Sequence, residues 1–298
     1  MILPEYRWWA AEPKWRGAEE YGFDHAWTYD HTGWRSLVDG PWFDAVPTLA
    51  AAAGVTTTLR LGTLVASPHV RQPVPFARQV LALDDLSDGR FCLGVGAGTV
   101  SPDAYDVAVT GAAPLTAREA ADRFAEFVEV VDALLVRPRT DFAGEHYSVD
   151  GARSASGCVQ RPRVPFLVAA NGPRTMRVAA RFGQGWVTTG PKADDLDTWW
   201  KGVAEAADRF DGVLAAAGRD RATLDRYLSL DAAPLYSMSS TGAFTDQVGR
   251  AAELGFTDVV THWPRSEGVY AGRETVLEQI AADVLPTLGG RAAEKIGE

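Results

Sequence analysis

The sequence predicts an α/β fold: a single (β/α)8 barrel of the TIM type running over residues 1–298. Three observations predict it. Short apolar, strand-like runs alternate with helix-like segments along the chain, the pattern of a parallel sheet whose strands are joined by helices. The phrases GFDHAWTYD, GQGWVTT and GFTDVVTHW each set a glycine at a helix end and a short strand directly after it. The length of 298 residues is two average domains, but it also suits one barrel.

The elements follow in order. Residues 1–3 are the stub of a first strand, and a helix is expected near residues 12–21. Residues 25–29 read as strand two and 43–53 as its helix. Residues 59–66, LRLGTLVA, form the third strand. The helix at 74–86 is entered through Pro73, at a position that needs no N–H. Residues 91–96 are strand four. Thr116 and Glu119 then make a T-x-x-E capping box, which satisfies amides at a helix start. Phe124, Phe127, Val128, Val131, Leu134 and Leu135 keep one apolar face behind it.

Residues 137–163 break the rhythm with Gly, Ser, Arg and Pro. They are expected as an inserted rim loop after the helix of strand four, with a short hairpin around 145–149. The rhythm resumes with strand five at 165–169, its helix at 173–182 and strand six at 185–189. A long helix or helix pair covers 196–217. Strand seven is 227–232, followed by a helix at 243–254. Strand eight is 258–261, and 273–288 is the closing helix. Residues 289–298 are expected to fray.

Composition excludes several functions. Apolar residues are 46% and charged residues 23%, the balance of an ordinary globular enzyme. The net charge of −10 argues against nucleic acid and anionic membrane as partners, and requires a phosphate-bearing cofactor to be met by a local donor group. No apolar run approaches the roughly 18 residues of a membrane span. Two cysteines, Cys92 and Cys158, with no CxxC, fit a reducing cytoplasm. Ten Trp and eight Tyr are core payload that also suits a site cradling a flat ring.

In a barrel the chemistry sits just after the strands. Those positions hold Asp30 and His31, then Ser67, Pro68 and His69, then the run Gly94-Val95-Gly96-Ala97-Gly98-Thr99. They continue with Asn171-Gly172-Pro173-Arg174, with Thr188, Thr189 and Gly190, and with His262 and Trp263. The glycine run is G-x-G-x-G, not a dinucleotide fingerprint; its glycines either ease a sharp turn or let backbone approach a ligand. Asn171 through Arg174 stand where a strand gives way to a helix, so free amides there form an anion site, with Asn171 also a candidate cap and Arg174 a candidate phosphate partner. Asp30 and His31 are the best acid/base pair, because histidine titrates near neutrality beside a carboxylate. Three rim histidines without HxH, HExxH or a carboxylate at ligand spacing do not make a metal site.

Three ordered blocks resemble a known family. EEYGFDHAWTYDH, LRLGTLVASPHVRQPVPFARQVLALDDLSDGRFCLGVGAG and PFLVAANGPRTMRVAARFGQGWVTTG are similar to segments of the bacterial luciferase-like superfamily, and above all of its coenzyme F420-dependent branch. The resemblance implies a luciferase-like barrel with a deazaflavin ring over its mouth and a non-proline cis peptide, here Leu64–Val65, behind that ring. It implies that Asp30 contacts the ring and that His31 is an active-site histidine. It places Ala97, Gly98 and Thr99 in the cofactor pocket, and Asn171 and Gly172 on the cofactor's phosphate. The full expected cofactor set is Asp30, Leu64, Val65, Ala66, Ala97, Gly98, Thr99, Asn171, Gly172, Pro173, Arg174 and Thr189, with Asp30 and His31 catalytic.

The activity implied is an F420-dependent reductase or dehydrogenase acting on a small organic molecule. The alternative is an FMN-dependent monooxygenase. Other readings are a cofactor-binding relative without turnover and a metal-assisted hydrolase. The spacing from His31 to Trp34 and the segment 69–73 are shorter than in the sugar-phosphate dehydrogenases of this branch, which argues against a sugar-phosphate substrate. A homodimer is expected.

Overall fold

The computed structural model describes residues 1–99, 101 and 104–288. Its centre is a curled sheet of seven parallel strands in the order β1-β2-β3-β6-β7-β8-β9. These are β1 (His25–Thr28), β2 (Arg60–Thr63), β3 (Phe91–Val95), β6 (Phe166–Ala169), β7 (Gly185–Thr188), β8 (Asp225–Ser229) and β9 (Asp258–Val260). All five residues of β3 are buried, as a strand covered on both faces requires. Helices return the chain between strands: α2 (Ala45–Ala53), α3 (Pro73–Leu86), α5 (Ala117–Val136), α6 (Pro173–Phe182), α7 (Leu196–Ala216) and α8 (Thr241–Glu253). Helix α1 (Trp8–Glu20) precedes β1, and α9 (Glu274–Asp283) follows β9.

Residues 1–3 do not form a ladder strand, yet they bridge the two edges of the sheet. The Ile2 amide donates to the Trp27 carbonyl at 2.9 Å, and the Trp263 amide donates to the Met1 carbonyl at 2.8 Å. The strands are held close by glycine. A Cβ on Gly94 would lie 1.9 Å from the Thr63 carbonyl oxygen, so β2 and β3 could not approach as they do with any other residue there.

The capping box forms as read: Thr116 Oγ1 accepts from the Glu119 amide at 3.2 Å, and the Glu119 carboxylate accepts from the Thr116 amide at 2.8 Å. The break after α5 is more ordered than a loop. It is an antiparallel hairpin of β4 (Arg139–Ala143) and β5 (Ser148–Arg153). Glu126, midway along α5, accepts the amides of Glu145, His146 and Tyr147 at its tip, which lays the hairpin along that helix.

Other boundaries moved. Helix α1 begins at Trp8 rather than residue 12, with Pro13 inside it. Strand β8 begins at Asp225 and gives way at Leu230 to a 3-10 turn, because pairing with β7 sets its register from Gly185 opposite Asp225. The segment 196–217 is one helix. A short helix α4 (Tyr105–Thr110) was not foreseen. The expected frayed segment 289–298 lies outside the described residues.

Candidate active site

The expected pairing of Asp30 with His31 does not form. The chain leaves the strand at Thr28 and bends at His31, and each side chain finds its own partner. Asp30, only 3% exposed, takes a two-pronged ion pair from Arg71, with Nε to Oδ2 at 2.9 Å and Nη2 to Oδ1 at 2.5 Å. Burial raises the Asp30 pKa, and the Arg71 hydrogen bonds oppose the rise. Arg71 also reaches Asp44, the N-cap of α2, at 3.0 Å. Asp30 is therefore tied into the scaffold at the strand end.

His31 turns instead to Asp106 on α4. Its Nδ1 lies 2.5 Å from Asp106 Oδ2. The Thr32 amide and hydroxyl donate to the other oxygen at 2.7 and 2.5 Å. Burial pushes the Asp106 carboxyl up, but these hydrogen bonds outweigh it and hold it below the usual carboxylate range. The Trp42 indole donates to the His31 carbonyl at 2.7 Å and fixes the backbone. The result is an imidazole oriented by a carboxylate, with Nε2 free of protein partners among the described residues.

The third strand end carries the expected cis peptide at Leu64–Val65. Leu64 and Ala66 are buried and Val65 is partly exposed, which gives the mouth an apolar floor. Beyond β3, Ala97 is half-buried while Gly98 and Thr99 are exposed. Gly98 has φ +78°, and a Cβ there would strike the His69 ring at 2.1 Å. Both His69 ring nitrogens are buried without a partner among the described residues. Burial, helped by Arg123, lowers the His69 pKa, so this ring is a neutral wall.

On the opposite side, Asn171 does not cap α6; Gly172 does, and no side chain closes that helix start. Asn171 sits one residue too early and turns back to the sheet, accepting from Thr188 Oγ1 at 2.6 Å and donating to Thr189 Oγ1 at 3.1 Å. Pro173 occupies the first turn, whose amides have no intrahelical carbonyl. A Cβ on Gly172 would meet nothing within 4 Å, so the space above this helix start is open. Arg174 leans outward to Asp122 on α5 at 2.8 Å, with both side chains exposed.

Beside Thr189 lies a cavity of about 500 Å³, walled by Arg35, Thr189, Lys192, Asp231, Tyr236 and Tyr270 among others. Behind its wall His262 is flanked by Asp231 and Tyr29. His262 Nδ1 is 3.0 Å from Asp231 Oδ2, and Nε2 is 2.8 Å from Tyr29 Oη. Tyr29 Oη is 3.1 Å from Tyr270 Oη. Burial pushes the Asp231 carboxyl up, but bonds from His262 and Ser237 hold it low; burial lowers His262 against the pull of Asp231. The pair is a carboxylate beside a neutral imidazole. Trp263, the other residue read at this strand end, turns outward to Glu274 at 2.7 Å.

Sequence reasoning missed Arg71, Asp106, Asp231, Tyr29 and Tyr270. Asp231 was hidden because strand seven was read through residue 232, whereas β8 ends at Ser229 and leaves Asp231 on the turn after it. Asp106 left no signal, because α4 is too short to show a period. Among the described residues no three His, Cys, Asp or Glu converge as metal ligands, and no helix is long and apolar enough to cross a membrane.

The comparisons agree with this architecture. Residues 14–235 match the model of the luciferase-like monooxygenase family. The F420-dependent glucose-6-phosphate dehydrogenase of Beutenbergia cavernae is 29% identical over 92% of this chain and 91% of its own length. An uncharacterized protein of Mycobacterium bovis is 31% identical over 84% of this chain and 85% of its own. Among solved structures, an F420-dependent secondary alcohol dehydrogenase bound to an F420–acetone adduct has TM-score 0.77 at 19% identity, covering 97% of this chain and 99% of that one. The F420-dependent tetrahydromethanopterin reductase of Methanopyrus kandleri has TM-score 0.73 at 17% identity, covering 97% and 98%. By its match over most of its length and by these relatives, the chain belongs to the luciferase-like monooxygenase family.

Proposed function

We propose that the chain is a coenzyme F420-dependent oxidoreductase that moves a hydride between the deazaflavin and a small organic substrate. The observation that carries this reading is the His31–Asp106 pair, an oriented imidazole at the strand ends beside the apolar floor of Leu64, Val65 and Ala66. Relatives named for F420 dependence support it.

The residues present fit this cofactor. Its flat ring needs an apolar floor, and the strand ends offer one. Its phosphate needs donors, and the open start of α6 at Gly172 supplies amides and the positive end of the helix dipole. Asn171 and Thr189 add polar contacts beside them, and Ala97, Gly98 and Thr99 form the facing edge. Pro173 occupies the first turn of that helix, and Arg174 would reach the phosphate only by leaving its pair with Asp122.

Bound F420 supplies a carbon that takes or gives hydride. His31 handles the accompanying proton. The Asp106 carboxylate sets the hydrogen on Nδ1, so Nε2 faces the reaction as the acceptor. Asp30, clamped by Arg71, holds the strand end that aims His31.

We also read residues 1–3 as an eighth strand that closes the barrel, the whole as one domain, and 137–163 as an inserted excursion. The working form is a cytoplasmic homodimer with no nucleic-acid or membrane partner; the net charge of −10 and two free, buried cysteines support that setting.

Fluorescence titration of F420 and of FMN with purified protein tests the cofactor. F420 should bind at least about ten-fold more tightly, a difference of about 1.4 kcal/mol. Tighter binding of FMN would overturn the deazaflavin reading in favour of a flavin monooxygenase.

A further inference from the structure

We propose that Tyr105 is a positioning residue for the proton-handling histidine: its ring, seated against the bare backbone of Gly33, holds α4 so that the Asp106 carboxylate meets His31. The proposal rests on the F420 reading of this site and deepens it by naming what keeps the imidazole oriented.

Helix α4 cannot hold itself in place. It has six residues, Tyr105–Thr110, and no side chain caps its start at Ala104. Isolated helices shorter than about 12–15 residues are marginal in water, so contacts with the rest of the fold must set its position. Its ending does not supply them. Gly111 closes the helix with φ +63°, and Thr110 Oγ1 donates back to the Asp106 carbonyl at 2.6 Å. These features lie within the helix and give it no direction towards residues 31–33.

Two contacts do give that direction. The first is polar: Asp106 accepts from the Thr32 amide and hydroxyl on one oxygen and lies against His31 Nδ1 with the other. The second is steric. A Cβ on Gly33 would lie 2.6 Å from Tyr105 Cε1, 2.8 Å from Tyr105 Cδ1 and 3.2 Å from Val38 Cγ1. Gly33 is buried and does not have a positive φ, so its backbone conformation is open to other residues. What requires glycine there is the space taken by the Tyr105 ring.

Tyr105 and Asp106 are neighbours on one helix, and Thr32 and Gly33 are neighbours on one loop. The ring contact and the carboxylate contact are therefore two points of one attachment. A carboxylate held alone can pivot about its hydrogen bonds, and a second point one residue away stops the pivot. A misplacement of about 1 Å at such a site can cost as much as about 10²-fold in rate. The Tyr105 hydroxyl makes no hydrogen bond among the described residues, so the ring does the holding. Tyr105 is also 39% exposed, which separates this contact from the packing of the core.

The test reads His31 directly. In protein without cofactor, proton NMR follows the hydrogen between His31 Nδ1 and Asp106, identified by its loss in His31→Gln. The matching hydrogen between His262 Nδ1 and Asp231 is the internal reference. Tyr105→Ala should move or broaden the His31 signal and leave the His262 signal in place. Tyr105→Phe should leave both in place. Gly33→Ala, which puts a methyl group where the ring lies, should disturb His31 as Tyr105→Ala does, and the double variant should disturb it no further. A His31 signal unmoved in Tyr105→Ala would overturn the assignment. Loss of both signals together, the mark of general loosening, would overturn it too.

The second arm measures turnover with F420 bound, using whichever of propan-2-ol and glucose 6-phosphate the wild type oxidises. Tyr105→Ala should lower kcat about ten-fold, with KM and F420 Kd within about three-fold of wild type. In an Asp106→Asn background the same substitution should cost less than about two-fold, since the group it positions is gone. Equal losses in the two backgrounds would overturn the assignment. Failure of wild type to bind F420 overturns the underlying reading, while the His31 signal still decides whether Tyr105 positions Asp106.

Discussion

Two of the molecule's His–Asp pairs set a carboxylate on Nδ1, in different settings. His31 and Asp106 are 2.5 Å apart, with side chains 19% and 11% exposed. His262 and Asp231 are 3.0 Å apart, with side chains 3% and 0% exposed. In both, a carboxylate holds Nδ1 and leaves Nε2 to act. The difference lies in what Nε2 meets: no protein group among the described residues for His31, and Tyr29 for His262. Tyr29 stands between the two histidines, with its ring centre 5.7 Å from His31 and 5.6 Å from His262. A carboxylate beside an imidazole thus does not define a role. Burial and the occupant of the far nitrogen do.

The largest stability effect is expected at the residue that keeps Asp30 out of the first pair. Arg71→Leu leaves a buried carboxylate without its partner and should destabilise the fold by about 3–5 kcal/mol in denaturant melts. The double variant Asp30→Leu with Arg71→Leu should recover much of that loss. If Asp30 instead shared the His31 proton, Arg71→Leu would move the pH–rate profile while leaving stability near wild type.

Asp106→Asn should lower kcat by roughly 10–10²-fold, because His31 keeps its place but loses the group that sets its tautomer. Thermal stability should fall by about 1.5–3 kcal/mol, the range of hydrogen bonds to a charged group. An unchanged kcat would reduce the first pair to a structural contact.

The buried pair should show itself in pH dependence. Burial lowers the His262 pKa, so below about 6.5 the unfolded chain binds a proton that the folded chain resists. The stability from this group is complete above that pH and is lost as pH falls through the lowered folded value. Asp231, also held low, acts in the same direction below the ordinary carboxylate range. His262→Gln should therefore flatten the fall of stability between pH 7 and 5, by up to about 1.4 kcal/mol per pH unit. An unaltered slope would mean that His262 does not govern that range. The smallest effect is expected outside both pairs. Arg174→Ala removes an exposed ion pair with Asp122 and should change stability by less than about 1 kcal/mol.

The sequence made the scaffold legible because apolar strands and glycine-ended helices leave local marks. Thr116 and Glu119 marked a helix start, and Pro173 another, within a residue of where they stand. The site was legible only as positions. His31, His262, Asn171 and Thr189 were found because they follow strands, but their partners lie far along the chain. Asp106 is 75 residues from His31, and Arg71 is 41 from Asp30. Adjacency in sequence suggested Asp30 for His31, but each is drawn to a partner from another element, Arg71 and Asp106. Hairpin order in β4 and β5 was underestimated because its tip is held by Glu126 of another element.

The most direct test of the account is the His31→Ala enzyme, with kcat and F420 Kd measured together alongside its melting temperature. The account predicts kcat lower by about 10²–10⁴-fold, Kd within a few-fold of wild type and little change in melting temperature. A variant that melts lower yet keeps near-normal kcat would contradict it, and would make His31 a packing residue of the mouth.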